Sequence, residues 1–93
     1  MIHHIVLWTL KDPNDAPRFK ALLDGCADLV PGTLAFEVGI RGPELEANAD
    51  VVLVSAFADA AALDAYQRHP QHQAVAAQLG AMRRDRHVLD FER

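Results

Sequence analysis

Ile2–Leu10 reads IHHIVLWTL, the longest stretch near the start of the sequence that is mainly apolar. In an extended strand, successive side chains point to opposite faces of the sheet. Ile5 and Leu7 therefore share one face, and Val6 and Trp8 share the other. A strand that is apolar on both faces is typical of the centre of a sheet with both faces covered. We predict that residues 2–10 form a central strand.

Three further segments have strand character. Val51–Phe57, VVLVSAF, is again apolar on both faces, which predicts a second central strand. Residues 33–41 alternate between apolar and other side chains, a pattern that indicates a half-buried strand at a sheet edge. Residues 87–91 predict a short final strand, and the arginine-rich stretch at 83–86 before it is interpreted as a solvated turn.

Two helical regions lie between these strands. The first shows apolar residues at helical spacing as far as Val30, with Asn14 or Asp15 as its cap and Pro31 and Gly32 ending it. Asp59 is predicted to cap the second region, which is rich in alanine. That region is interrupted at His69–Pro70, because proline disfavours helical geometry in the residue before it, and it resumes with Pro70 in a first helical turn.

The order β-α-β-β-α-β is the split βαβ, or ferredoxin-like, pattern of the α+β class, and it spans residues 1–93 as a single domain. Two helices can cover only one face of the sheet. The other face, with Ile5 and Leu7, would remain exposed in a monomer. A large exposed apolar face favours association, and two-fold dimers are the commonest oligomers. The pattern therefore predicts a homodimer that pairs its sheets.

Composition excludes several classes of protein. The chain has 9 basic and 13 acidic residues and a net charge of −4, so it lacks the basic surface of a nucleic-acid-binding protein. No apolar run approaches the roughly 20 residues that span a membrane. A single cysteine, Cys26, permits no internal disulfide or usual zinc framework, and its place on the apolar stripe predicts a core residue. These features lead us to expect a cytoplasmic protein.

Two histidines, one in the first strand and one in the second helical region, are the candidates for chemistry. His4 shares a strand face with Val6 and Trp8, and His72 lies on the apolar stripe of the second helical region. The two could therefore meet in one cavity between sheet and helices. The remaining predicted lining residues, which bind the ligand in this hypothesis, are Val6, Trp8, Phe19, Leu23, Tyr66, Val75 and Leu79. The alternative is a solid core in which the histidines have only a structural role.

A metal site is the less favoured interpretation of the His69-x-x-His72 pair. Pro70 separates the two histidines, so they do not share regular helical geometry, and no third ligand is near in sequence. We expect neither a metal nor a cofactor. Phosphate-binding glycine loops, dinucleotide fingerprints and nucleophile elbows are absent from the sequence.

Four segments together resemble the stress-responsive A/B barrel family of dimeric α/β barrels. They are HHIVLWTLKD (3–12), PGTLAFEVG (31–39), ALDAYQRHPQH (62–72) and VLDFE (88–92). The resemblance extends over nearly the whole chain and is carried most specifically by the Tyr-x-x-His-Pro-x-His spacing. It implies a dimer of ferredoxin-like subunits.

The resemblance also implies a possible reaction. One plant member of the family is a polyketide cyclase that closes a ring by an intramolecular aldol condensation without a cofactor. Its acid–base histidines match His4 and His72 here, and a nearby tyrosine matches Tyr66. Two positions differ, because Leu23 stands where that cyclase has a tyrosine and Val51 where many members have a histidine. We therefore expect a drier cavity that binds a small hydrophobic or aromatic molecule.

Overall fold

The computed structural model describes all 93 residues as a four-stranded antiparallel sheet with helices on one face. The strands are β1 (Ile2–Leu10), β2 (Thr33–Ile40), β3 (Val51–Phe57) and β4 (Arg83–Glu92). The helices are α1 (Ala16–Asp24), α2 (Ala60–Arg68) and α3 (Pro70–Met82), and a 3-10 turn at Pro13–Asp15 precedes α1. The strand order is β2-β3-β1-β4. The predicted α+β ferredoxin-like fold, with β1 and β3 at the centre, is confirmed.

The register assigns each side chain of the sheet to a face. His4 is opposite Ser55 of β3 and Asp90 of β4, and Val6 is opposite Leu53. These residues lie on the face of the sheet toward the helices, where Val6 and Leu53 join Phe19, Leu23, Tyr66 and other side chains in one core of 16 buried apolar residues. A single contiguous core of this kind is what one domain requires.

The first helix is shorter than the sequence predicts. It ends at Asp24, and residues 25–30 continue as tight turns in which the amide of Cys26 donates to the carbonyl of Leu23 at 2.8 Å. Cys26 is nevertheless buried in the core, as predicted. Apolar residues continue at helical spacing beyond Asp24 because these turns keep the same face of the chain toward the sheet. Gly32 has a φ of 87°, which glycine adopts without strain, and it leads into β2.

The helix caps differ in part from the prediction. The carboxylate of Asp12 accepts the amide of Asn14 at 3.0 Å and caps the 3-10 turn. Asp15 occupies the position before α1 but makes no capping bond with its side chain. The predicted cap of α2 is confirmed, since Asp59 accepts the amide of Ala62 at 2.8 Å.

The final strand is longer than predicted, and the supposed turn at 83–86 belongs to it. β4 begins at Arg83, and its residues pair with β1 as far as Leu10 through one irregularity after Thr9. The prediction of a solvated turn was wrong because the backbone of this stretch pairs with that of the central strand β1, and charged side chains are common on an edge strand.

The break between α2 and α3 is occupied by His69. Its backbone is not helical (φ −58°, ψ 133°), and its ring Nδ1 accepts the amide of Gln71 at 3.1 Å. Pro70 stands at the start of α3, where its missing amide hydrogen is not needed. His69 thus ends one helix and caps the next, which explains the first histidine of the pair.

The face of the sheet away from the helices is apolar and uncovered. Leu7, Val54, Leu89 and Phe91 lie on it with exposed fractions of 40–65%. We call this surface, together with Ile5 and Val52, the open face. None of the helices is both long enough and apolar enough to cross a membrane.

Candidate functional site

A cavity of about 210 Å³ lies between the sheet and the helices. Eight of its twelve lining residues are hydrophobic. The full lining is His4, Val6, Trp8, Leu23, Leu53, Tyr66, His72, Val75, Ala76, Leu79, Arg83 and Arg86. The structure thus brings His4, Tyr66 and His72 to one cavity.

Phe19 is the one residue of the predicted lining that does not line the cavity. It is fully buried and packs edge-on against Trp8, with ring centroids 5.0 Å apart. Its position is a correction to the sequence analysis: α1 directs Phe19 into the solid part of the core. It supports the indole of Trp8 from behind and leaves Leu23 to reach the cavity wall.

His4 is held by a carboxylate that the sequence analysis did not identify. It is almost completely buried, and its Nδ1 lies 2.5 Å from Oδ1 of Asp90 on the adjacent strand. A carboxylate accepts hydrogen bonds, so Nδ1 of His4 carries the hydrogen and the ring orientation is fixed. The hydroxyl of Ser55 donates to the carbonyl of His4 at 2.7 Å. The sequence did contain a signal for Asp90. It lies two residues after Val88, so in a strand paired with β1 the two side chains point to the same face of the sheet.

Tyr66 lies between the two histidines. Its ring centroid is 6.4 Å from that of His4 and 4.5 Å from that of His72. The side chain is buried, and its hydroxyl has no hydrogen-bond partner in the protein. Burial, and secondarily the nearby Cys26, raises the pKa of this hydroxyl, so it remains protonated at neutral pH. A residue of the cavity wall therefore carries a buried donor without an acceptor, an arrangement that folding alone does not favour.

His72 is oriented by the backbone of α2. Its Nδ1 lies 3.2 Å from the carbonyl oxygen of Gln67. Because a carbonyl only accepts, Nδ1 is the donor and Nε2 keeps a free lone pair in the neutral ring. Burial lowers the pKa of His72, and the nearby His4, Arg86 and His69 lower it further against the opposing effect of the Gln67 carbonyl. His72 is therefore neutral at physiological pH, the state that a general base requires.

The residues that depart from the cyclase pattern have different positions. Leu23 lines the cavity, so an apolar side chain stands there in place of a phenol. Val51 is buried in the core and is not part of the lining. Asp50 beside it has a structural role, because its carboxylate accepts the amide of Leu10 at 2.8 Å and pairs with Arg41.

Besides Asp90, which contacts His4 but is not part of the lining, the sequence analysis missed four residues that do line the cavity. Leu53 and Ala76 add to the apolar wall, and Arg83 and Arg86 add charge. The arginines were missed because they were assigned to a turn. Extending the alternation of β4 backwards from Asp90 through Val88 would have placed Arg86 on the cavity side.

Two other places are weaker candidates for a functional site. A more open depression of about 390 Å³ lies between the open face and the loop after β2, and its lining contains neither histidine nor tyrosine. His69 does not line the cavity, since its ring caps α3. No group of three or more His, Cys, Asp and Glu side chains is arranged to hold a metal ion.

Solved structures with the same fold cover almost the whole chain. A dimeric ferredoxin-like protein of unknown function from Jannaschia sp. is 30% identical, with a TM-score of 0.81 over 99% of this chain and 98% of that one. Another such protein, from Thermobifida fusca, is 25% identical, with a TM-score of 0.87 over 99% and 90% of the two chains.

A Dabb family protein with a ferredoxin-like fold from Mesorhizobium loti is likewise 25% identical, with a TM-score of 0.80 over 99% and 95% of the chains. No curated protein sequence matches the chain. The family model of the stress-responsive A/B barrel domain (Dabb) matches residues 2–93. The resemblance seen in the four sequence segments is confirmed, and the chain belongs to the stress-responsive A/B barrel family.

Proposed function

We propose that this protein is a homodimer in which each subunit binds a small hydrophobic or aromatic molecule in the cavity and transfers a proton on it without a cofactor. The observation that carries this proposal is the unpartnered hydroxyl of Tyr66, buried beside the neutral imidazole of His72. A buried donor without an acceptor is costly for stability, and a ligand oxygen in the cavity would satisfy it.

The size of the cavity limits the ligand. Typical small-molecule pockets measure about 300–1,000 Å³, whereas a cavity of about 150 Å³ already holds benzene. At about 210 Å³, with mainly apolar walls, this cavity suits a molecule built on a single ring or a short branched chain.

The roles of the polar groups follow from their hydrogen bonds. Nε2 of His72 would accept a proton from a carbon next to a carbonyl, and the hydroxyl of Tyr66 would donate a hydrogen bond to the resulting enolate oxygen. His4 directs its Nδ1 hydrogen to Asp90, so that hydrogen is not available to an oxyanion. His4 is therefore the second acid–base group, and Tyr66 is the donor. An aldol cyclisation or an isomerisation uses such a step.

Dimerisation is proposed through the open face. Its exposed apolar side chains on β1, β3 and β4 form a continuous surface, and relatives with the same fold are dimeric. Pairing two such faces around a two-fold axis would bury both. The single, buried Cys26 is compatible with the cytoplasmic location that we also propose.

A non-catalytic ligand-binding module is the second candidate. The apolar walls favour it, and so does the hydrogen bond of His4 with Asp90, which would serve structure as well as chemistry. The two candidates agree on a ligand in the cavity and differ only in whether His72 removes a proton.

Two measurements on the purified protein test the proposal. Toluene binding, followed by NMR shifts of the cavity residues, tests whether the cavity accepts an apolar ring. Deuterium exchange of the methyl protons of acetophenone in D₂O tests proton removal next to a carbonyl. We expect toluene to bind and exchange to exceed the buffer rate, and we expect His72→Phe to return exchange to the buffer rate.

His69→Asn is the matched control. It changes the neighbouring histidine, retains a side chain that caps helices well, and leaves the cavity lining intact. It should exchange acetophenone at the wild-type rate. Toluene binding with exchange at the buffer rate would establish the non-catalytic module, and the absence of toluene binding would show a solid core and refute both candidates.

A further inference from the structure

We propose that the ligand of this cavity carries a carboxylate, and that the guanidinium groups of Arg83 and Arg86 bind it at the cavity wall. This inference rests on the proposed function, because it names the chemical class of the molecule that occupies the same cavity. It assigns a binding role to two residues outside the His4, Tyr66 and His72 group.

The first observation is the position of the two arginines on β4. Arg86 is opposite Trp8, and Arg83 is opposite Leu10, so both stand on the side of the sheet that carries the cavity. Both belong to its lining. Arg83 is half-buried and Arg86 is exposed, so the two charges lie where the cavity meets solvent. A charged ligand group could stay partly hydrated there while its apolar part entered the cavity.

The second observation is that these two charges lack partners. Lys20, Arg41, Arg68 and Arg84 each pair with an aspartate within 4.0 Å. Of the five basic residues without an ion pair, only Arg83 and Arg86 line the cavity, and their side chains form no hydrogen bond with the protein. The one carboxylate nearby on the same strand face, Asp90, is bound to His4.

The lining contains no acidic residue that could offset these arginines. The chain as a whole has a net charge of −4, so this positive wall is a local feature of the cavity. The charge of Arg86 also acts on His72 from across the cavity, since it helps to lower the pKa of that histidine. Unpaired positive charge beside apolar walls attracts an anion whose remaining surface is apolar.

The guanidinium group selects the anion. Its planar set of donors matches a carboxylate in a bidentate arrangement, and such charge-assisted hydrogen bonds are about twice as strong as neutral ones. A carboxylate attached to one ring extends that ring by only three heavy atoms, which agrees with a cavity of about 210 Å³. The arginines would hold the carboxylate at the solvent side, leaving the ring among the apolar walls.

The experiment compares two probes of nearly equal size, benzoate and benzyl alcohol, by NMR titration of the full-length protein. We expect benzoate to bind about tenfold more tightly than benzyl alcohol, the difference of one charge-assisted contact. Arg83→Gln and Arg86→Gln should each weaken benzoate binding by about threefold to tenfold and leave benzyl alcohol binding unchanged. Raising the salt concentration should weaken only benzoate.

Arg84→Gln is the matched control. It removes the same charge from the same strand, but Arg84 pairs with Asp85 and does not line the cavity. Its benzoate affinity should equal that of the wild type. The inference is overturned if benzoate binds no better than benzyl alcohol, or if the three variants behave alike. If neither probe binds while toluene does, only the carboxylate assignment fails; if toluene also fails to bind, the proposed function fails with it.

Discussion

The hydroxyl of Tyr66 is the least satisfied polar group of the core, and its removal should therefore be tolerated. Tyr66→Phe keeps the ring contacts with His4 and His72 and deletes only the unpartnered donor. We expect the free energy of unfolding to change by less than about 1 kcal/mol, or to rise, because no hydrogen bond is lost. Urea denaturation measures this.

Tyr66→Ala provides the contrast, since it also removes the ring. It should cost about 3 to 5 kcal/mol, as large-to-small changes of buried aromatic residues do. A loss of more than about 2 kcal/mol in Tyr66→Phe would mean that the hydroxyl has a partner in the folded protein, and that it is not held ready for a ligand.

The lowered pKa of His72 predicts how stability depends on pH. Below the unfolded-state pKa of about 6.5, the unfolded chain binds a proton at this position more readily than the folded one. Stability should therefore be complete above that pH and decline as the pH falls toward the folded pKa. We expect His72→Phe to flatten this decline in urea denaturation between pH 8 and pH 5.

Gln73→Phe is the control for that experiment, because it adds the same ring at an exposed position one residue further along α3. It should retain the wild-type decline. An NMR titration that shows His72 protonating above pH 6.5 would contradict the assignment of a neutral base.

The candidate site could be predicted from the sequence only where a residue lies on a regular pattern or in a family motif. His4, Tyr66 and His72 met that condition. Asp90 did not, because its contact with His4 joins residues 86 positions apart and depends on the pairing of β1 with β4. Arg83 and Arg86 were missed for a different reason. A cluster of charged residues is typical both of an exposed turn and of an edge strand, so composition alone does not distinguish the two.

At the scale of elements, the break at His69 and Pro70 determines where His72 points. Pro70→Ala should allow His69 to become helical and α2 to continue into α3, which would move His72 away from the carbonyl of Gln67. We expect a crystal structure of the variant to show His72 displaced from the cavity, and toluene binding to weaken.

Pro17→Ala is the matched control, because Pro17 also stands in a first helical turn but interrupts no helix. That variant should bind toluene like the wild type. If Pro70→Ala left the position of His72 unchanged, the geometry of the break would come from the His69 cap or from the bond between Gln71 and the carbonyl of Gly25.

The boundaries of α1 and β4 show why a sequence pattern predicts the type of an element better than its length. Apolar spacing continued past Asp24, where hydrogen bonding changes from helix to turns, so α1 was predicted too long. β4 was predicted too short, because four charged residues concealed a strand that the central strand stabilises by pairing. In both cases the type of element was predicted correctly, since the apolar period is a local property. Its end depends on contacts with distant segments.

At the scale of the whole molecule, the open face should determine the oligomeric state. Val54 and Val88 are valines of the same sheet with exposed fractions of 44% and 47%, but they lie on opposite faces. Val54→Lys should weaken dimerisation by roughly a hundredfold or more, because it places an unpaired charge in the proposed interface. Sedimentation velocity at micromolar concentration measures this.

Val88→Lys is the control and should sediment like the wild type. A wild-type protein that sediments as a monomer would contradict dimerisation, and equal effects of the two substitutions would show that the open face is not the interface.

The pairing of β1 with β4 also governs when the molecule can fold. β1 and β4 are far apart in the sequence but neighbours in the sheet, and their register joins Ile2 to Glu92. A topology with contacts so distant in sequence folds slowly, because the loop must close before the contacts that reward it can form. During synthesis, β1 can pair with β3 first, but its other edge stays unpaired and accessible to chaperones until residues 83–92 have left the ribosome. His4 meets Asp90 only when β4 pairs with β1, so the cavity matures together with that strand.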